Sequence, residues 1–368
     1  MNATRKLLFG LAPVLLLLTL AEVGARVAGA EECVAIEPMG GDRETMIGHP
    51  RYLWRLEPGS TAEHLGINSP INVVGLRSKH LPDDPRAENE LRVLITGDSS
   101  IFGLGIPEGR TYDARLEQEL EERLGRPTKV INLGTPGYST EQTLRLLEDV
   151  GWSYEPHLVV VSNIFSDCNI DAFQDRDAMR LADPGDTLLR AALHSSRLYC
   201  AAYMPWARFQ ASAATQGVSK AVFMPGNPIG PNQAVQLEKI DQVVDLSRVP
   251  LGDYLDNLGT LKDEAEDHGA RIVLAPLAQE WDVGRWTVPM PKPVEGQVLP
   301  WHPYRDAQRA WAEDNEVGLV PFYEVFPSSG NRGDQLFIDV MHPSQTGAKV
   351  MARAVAEHIE QHPELLTP

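Results

Sequence analysis

The sequence predicts a three-layer α/β/α sandwich: a mainly parallel sheet of about five strands, covered by helices on both faces and carrying a helical and loop insertion. Three observations support this. From residue 91 onward, short apolar runs alternate with amphipathic stretches of helical period. The runs are continuous, as in Val93-Leu94-Ile95, which suits strands buried on both faces. The chain has 368 residues and is 43% hydrophobic, enough to bury a core of that kind.

After the first strand, "TYDARLEQELEERLG" places Leu116, Leu120 and Leu124 four residues apart among charged neighbours, and Gly125 ends the helix. "KVINL" reads as the second strand. "TEQTLRLLEDVGWSY" follows as a helix with Thr140 as its N-cap, then "HLVVVSNIF" as a third strand. The rhythm stops between Asp171 and Val249, where "DTLLRAALHSSRLYCAAYMPWARF" reads as helix and "MPGNPIGPN" as loop. That is long for a connection, so residues 171–249 are expected to form a lid over the carboxyl edge of the sheet. The helix "YLDNLGTLKDEAEDHG" and the strand "RIVLAP" resume the pattern. A proline-rich loop from Val288 to Pro300, the helix "YRDAQRAWAEDNE" and the strand "GLVPF" complete it. Such alternation implies parallel pairing with right-handed crossovers. Three parts are therefore expected: residues 1–30 as signal peptide or membrane anchor, 31–90 as a lead-in packed on the main domain, and 91–365 as the main domain with its insertion.

A formal net charge of −18 argues against a nucleic-acid partner, because a phosphate backbone would be repelled. At the N-terminus, Arg5 and Lys6 precede an uncharged run from Leu7 to Ala21. This run is shorter than the roughly 20 residues that span a bilayer, and resembles a signal-peptide core. Ala28-Gly29-Ala30 offers a cleavage site. Glu22 and Arg26, lying before it, count against cleavage and leave an uncleaved tether over residues 7–27 as the alternative. Both readings place the rest of the chain outside the cytoplasm, periplasmic or at the cell surface, because the positive flank stays inside. Of the three cysteines, Cys168 and Cys200 are the expected pair in an oxidising compartment. No Cys-x-x-Cys or His-Glu-x-x-His pattern occurs, and no metal or organic cofactor is expected.

The stretch "RVLITGDSSIFGLG", residues 92 to 105, ends a strand in a glycine turn and projects the Ser99 hydroxyl over the sheet rim. Gly103 and Gly105 then allow close backbone approach. Near the other end stands "LFIDVMHPSQTGAKVMARAVAEHI", where Asp339 and His342 lie three residues apart before a helix opened by Pro343 and Ser344. A nucleophilic serine needs an imidazole to take its proton and a carboxylate to fix the tautomer and stabilise the imidazolium. Ser99, His342 and Asp339 supply these types at the same rim of the sheet. Gly-Asp-Ser and Asp-x-x-His are each common as simple turns; their order and placement together carry the reading. The adjacent acid and base and the absence of Gly-x-Ser-x-Gly disfavour the α/β-hydrolase elbow. His157, His194, His302 and His358 read as surface or packing residues. Arg180, Arg190, Arg197 and Arg208 read as a solvated helix face, and Trp206, Trp281, Trp286 and Trp301 as packing residues.

These blocks resemble the SGNH hydrolases, the GDSL-type esterases and lipases, which have a flavodoxin-like sheet. "GDSS" is similar to the nucleophile block, at Ser99. "NLGTPGYST" is similar to the second block, whose glycine, here Gly137, donates a backbone N–H to the oxyanion hole beside that of Ser99. "DVMHPSQTG" is similar to the last block, with Asp339 and His342. "INVVGLRS" (71–78) and "HSSRLY" resemble a subgroup with an N-terminal membrane segment. The family's third block, Gly-x-Asn-Asp, supplies a third oxyanion donor through its asparagine amide; here the text is "SNIFSDCN", so that donor position falls on Ser166 or Asp167, with Asn163 and Asn169 flanking. The resemblance implies a cofactor-free serine ester hydrolase acting on O-acyl, chiefly acetyl, esters of carbohydrate. Two alternatives stand beside it: a polysaccharide O-acetyltransferase using the same triad, and a polysaccharide-binding or assembly protein whose site has decayed.

Overall fold

The computed structural model describes residues 3–36, 45–169, 173–185, 187–213, 247–284 and 299–366. The N-terminal helix α1 (Ala3–Val27) precedes two hairpins, β1 (Met46–His49) with β2 (Leu53–Leu56), and β3 (Thr61–His64) with β4 (Ile67–Pro70). Then come β5 (Leu91–Thr96), α2 (Ser99–Phe102), α3 (Tyr112–Leu124), β6 (Thr128–Asn132), α4 (Thr140–Asp149), β7 (Leu158–Val161) and α5 (Phe165–Cys168). Helices α6 (Asp175–Ala182), α7 (Leu188–His194) and α8 (Arg197–Ala213) follow, then α9 (Leu251–Asp267), β8 (Arg271–Leu274), α10 (Trp301–Asp314) and β9 (Gly318–Leu319). The chain finishes with α11 (Phe322–Ser328), α12 (Gly333–Leu336) and α13 (Gln345–Gln361).

Strands β5 to β9 form one parallel sheet in the order β6-β5-β7-β8-β9, as the alternating sequence pattern requires. Val93 faces Val130 on one side and Leu158 on the other, while Val160 faces Val273. Every residue of β5 and β7 is buried, which explains the apolar runs Val93–Ile95 and Leu158–Val161; Arg92, buried in β5, is paired with Glu90. Helix α3 packs on β6 and α13; α9 packs on α4, α10 and β8, giving the two helical layers. Because the chain leaves β5 for β6 and then crosses to β7 on the opposite side, the carboxyl end of β5 lies at the topological switch point, where open α/β sheets place ligands.

Local differences from the sequence reading have identifiable causes. Strand β7 stops at Val161 rather than running to Phe165. The next side chains leave the ladder: Asn163 Oδ1 accepts from the Thr96 and Thr143 hydroxyls, and its Nδ2 donates to the Tyr138 carbonyl. The cap of α4 is Ser139, not Thr140. The Ser139 hydroxyl accepts from the Gln142 N–H and the Gln142 side chain accepts from the Ser139 N–H, a reciprocal box that Thr140, one residue later, cannot make. The lead-in, irregular by its composition, contributes the two hairpins, whose short strands leave too little alternation to read.

The disulfide joins Cys33 to Cys200, and Cys168 is a buried free thiol. This overturns the Cys168–Cys200 expectation. Cys168 lies in α5 beneath the sheet edge, whereas residues 32–34 lie against α8, with Arg197 bound to Glu32 and Arg208 to the Val34 carbonyl. A cross-link over 167 residues removes much unfolded-chain entropy, of order 2–5 kcal/mol. Glu22, on α1, accepts from the Ser196 hydroxyl and from the Arg197 and Leu198 N–H groups, so it caps the start of α8. Among the described residues no helix is long and apolar enough to cross a membrane. "MPGNPIGPN", Trp286 and the proline-rich loop short of its last two residues lie outside the described residues.

Candidate active site

The turn that carries Ser99 is built by residues that cannot easily be exchanged. Gly97 has φ +155°, and a Cβ there would lie 2.5 Å from Ile101 Cγ1. Asp98 caps α2 by accepting from the Ser100 N–H at 2.9 Å, which leaves Ser99 as the first residue of the helix. Burial pushes the Asp98 carboxyl up, while the Ser100 N–H and the charge of His342 pull it down; the net direction is upward. Gly103 ends α2 in the left-handed conformation. The buried Arg77 guanidinium donates to the carbonyls of Phe102, Gly103 and Ile106, closing off that end.

The opposite wall is the loop between α12 and α13. Phe337 and Pro343 pair across its base, and the Ile338 N–H donates to the His342 carbonyl at 3.0 Å. Within this loop Asp339 Oδ1 accepts from the Met341 N–H at 2.9 Å and the His342 N–H at 2.8 Å. Its other oxygen, Oδ2, lies 2.6 Å from His342 Nδ1, and His342 Nε2 lies 2.8 Å from Ser99 Oγ. The three residues are thus in line: the serine hydroxyl donates to the imidazole, which donates to the carboxylate. Burial raises the Asp339 carboxyl, but the hydrogen bonds and charge of His342 outweigh it and bring the pKa to about 2. The neighbouring Ser100 hydroxyl donates instead to the Met341 carbonyl at 3.3 Å and ties the two walls together.

Gly137 lies in the β6–α4 loop, which is stitched to the nucleophile turn. The Leu133 N–H donates to the Ile95 carbonyl and the Thr135 N–H to the Gly97 carbonyl. A Cβ on Gly134 would lie 2.5 Å from the Phe102 nitrogen, so the loop passes directly against α2. The third block distributes its polar groups differently from the family pattern. Asn163 is engaged as described above. Ser166, in α5, makes no side-chain hydrogen bond among the described residues. Asp167 is fully buried: its Oδ1 accepts from the Thr140 N–H at 2.8 Å and from the Thr140 hydroxyl at 2.6 Å, while its Oδ2 is buried without a partner.

Burial pushes the Asp167 carboxyl up to about 7, against the two Thr140 bonds, with the charge of Asp175 adding to the rise and that of Arg248 opposing it. Its native pKa therefore lies above its unfolded one. Between about pH 4 and 7 the native state holds a proton that the unfolded state has released, so this group's contribution is full at acid pH and lost as pH rises through about 7. Asp167→Asn keeps the shape and removes the titration. The fall in melting temperature between pH 5 and pH 8 is expected to be smaller in the variant than in the parent; equal falls would contradict the assignment.

Several residues around the site escaped the sequence reading. Trp54, on β2, donates to the Pro136 carbonyl, and Arg248, at the end of the insertion, donates to the Gly137 carbonyl. No local pattern marks either. Arg77 stood in the quoted "INVVGLRS", yet its grip on α2 required knowing where that helix ends.

The class these features define is that of ester hydrolases built on a parallel α/β sheet. Residues 95–350 match the GDSL-like lipase/acylhydrolase family, and the chain belongs to it. No curated protein matches the chain. Among solved structures it is similar to a protein assigned to the lipolytic G-D-S-L family from Desulfitobacterium hafniense DCB-2, at 14% identity and TM-score 0.41, covering 73% of this chain and 98% of that one. An acetylxylan esterase from Geobacillus stearothermophilus is similar at 16% identity and TM-score 0.41, with 73% and 94% covered. The acetyl xylan esterase AlAXEase is similar at 14% identity and TM-score 0.43, with 73% and 100% covered.

Proposed function

We propose that the chain is an extracytoplasmic serine esterase that removes O-acyl groups, chiefly acetyl, from carbohydrate through Ser99, His342 and Asp339. The observation that carries the reading is the continuous hydrogen-bond path from Ser99 through His342 to Asp339. Ser99 Oγ attacks the acyl carbonyl carbon as its proton passes to His342 Nε2, and Asp339 stabilises the resulting imidazolium. The Ser99 and Gly137 N–H groups receive the oxyanion. The imidazolium then protonates the departing sugar oxygen, leaving an acyl-enzyme on Ser99. Water, deprotonated by His342, repeats the attack and releases the acid.

The ester class comes from the family resemblance, and the Cys33–Cys200 disulfide and the Arg5-Lys6 flank of the apolar run support the location. A transferase would use the same acyl-enzyme with a sugar hydroxyl in place of water. Acetate release from acetylated oligosaccharide by the full chain tests the reading. Steady release that is unaffected by added sugar acceptors is expected. Acetylation of the acceptor in place of acetate release would identify a transferase, and inertness toward every acyl ester would reject the catalytic reading.

A further inference from the structure

The oxyanion hole proposed above needs the Gly137 N–H to be held outward toward the substrate; the Thr135–Tyr138 turn, closed by the Tyr138 N–H donating to the Thr135 carbonyl at 3.0 Å, sets that peptide locally, and a contact from far along the chain fixes it further. We propose that Trp54, on the hairpin that precedes the family-matched region, is the residue that positions this N–H. The inference rests on the esterase reading and extends it to a residue outside the blocks that resemble the family and outside the matched residues 95–350.

The argument begins with the peptide plane. The Pro136 carbonyl and the Gly137 N–H belong to one planar trans peptide unit, so they point in opposite directions. Trp54 Nε1 donates to the Pro136 carbonyl at 3.0 Å. Anchoring that oxygen directs the N–H to the far side. It also polarises the amide, which strengthens the N–H as a donor. Among the described residues the Gly137 N–H has no hydrogen-bond partner and is free to receive a ligand oxygen.

The ring reinforces the bond. Gly137 has φ +77°, and a Cβ there would lie 3.0 Å from Trp54 Cζ2, so the indole packs against the glycine itself. The Tyr138 hydroxyl donates back to the Trp54 carbonyl at 2.7 Å. On the other side of Gly137, Arg248 Nη1 donates to the Gly137 carbonyl at 2.7 Å while its guanidinium lies 5.2 Å over the Trp54 ring. The peptide units flanking Gly137 are therefore both fixed, and Trp54 touches each part of the clamp.

Two further features fix Trp54 in place, the first of them at some cost in backbone strain. Leu53 is held at φ +67°, in a tight turn where the Trp54 N–H donates to the Tyr52 carbonyl at 2.8 Å, a conformation that disfavours a branched side chain. Gln142, in the first turn of α4, donates to that same Tyr52 carbonyl at 2.7 Å and pins the hairpin beside the oxyanion loop. With Trp54 only 1% exposed, the indole cannot be a wall of the substrate cleft. Its influence on the reaction passes through the Pro136–Gly137 peptide, which makes it a positioning residue.

The test is made on the full chain with p-nitrophenyl acetate, with Ser99→Ala as reference. Trp54→Phe keeps an aromatic ring and loses the donor. Replacement by 3-benzothienylalanine, whose sulfur stands where the indole N–H was, preserves the shape more closely and decides the matter should the phenylalanine variant fold poorly. A fall in kcat of about 10- to 100-fold with KM within twofold is expected, short of the loss of a whole oxyanion donor. A folded donor-less variant with unchanged kcat, or with a raised KM alone, overturns the role assigned to Trp54. Ser99→Ala as active as the parent overturns the esterase reading itself, so the two failures are separable.

Discussion

Ser99→Ala and His342→Ala are each expected to lower kcat for ester hydrolysis by about 10⁴- to 10⁶-fold, and the double variant to be no slower than the slower single one. The reason is that in the proposed mechanism the two residues perform one step. Without the alcohol there is nothing for the imidazole to deprotonate, and without the imidazole the alcohol is a poor nucleophile at neutral pH. Ser100 offers no substitute, because its hydroxyl is committed to the Met341 carbonyl. Ser99→Ala should also leave the fold intact, since the cap on α2 is made by Asp98 to the Ser100 N–H and does not use the Ser99 side chain. Activity of the parent, the two single variants and the double variant, together with their melting temperatures, checks both statements. Multiplicative losses in the double variant would mean that Ser99 and His342 act independently.

The parts of this site that were legible in the sequence are those whose signal is local. Gly97, Ser99 and Gly103 mark a strand that must turn sharply and stop, and Asp339 with His342 fits within one short loop. The apolar runs at the centre of β5 and through β7 follow from burial on both faces and are visible without knowing the neighbours. Residues whose role depends on where the chain returns were not legible. Cys33 and Cys200 are 167 positions apart, and nothing in their flanks shows that α8 passes beside residues 32–34. Trp54 sits in a hairpin of four-residue strands, and Arg248 is a single cation in an unpatterned stretch. The side chains of the third block could not be placed from sequence for a related reason. Placing its side chains requires knowing that the β7 ladder ends at Val161, and that end depends on bonds from Asn163 to Thr96, Thr143 and Tyr138.

Arg248→Met is expected to destabilise the protein by about 3–5 kcal/mol. Arg248 and Asp175 are almost wholly removed from solvent and pair through two bonds, Nε to Oδ1 at 2.8 Å and Nη2 to Oδ2 at 2.7 Å. Asp175 also accepts from the Ser139 hydroxyl, while Arg248 donates to Gln142 Oε1 at 2.7 Å. These contacts join the start of α6, the cap of α4 and the chain leaving the insertion. Methionine fills much of the same space but leaves a carboxylate buried without its cation. That uncompensated charge, more than any lost attraction, sets the size of the effect. It follows that Asp175→Leu in the Arg248→Met background should recover part of the loss, because the second substitution removes the stranded charge. Urea-unfolding midpoints of the parent, the two single variants and the double variant measure the coupling directly. A double variant whose loss equals or exceeds the sum of the single ones would show that the pair does not act as a unit.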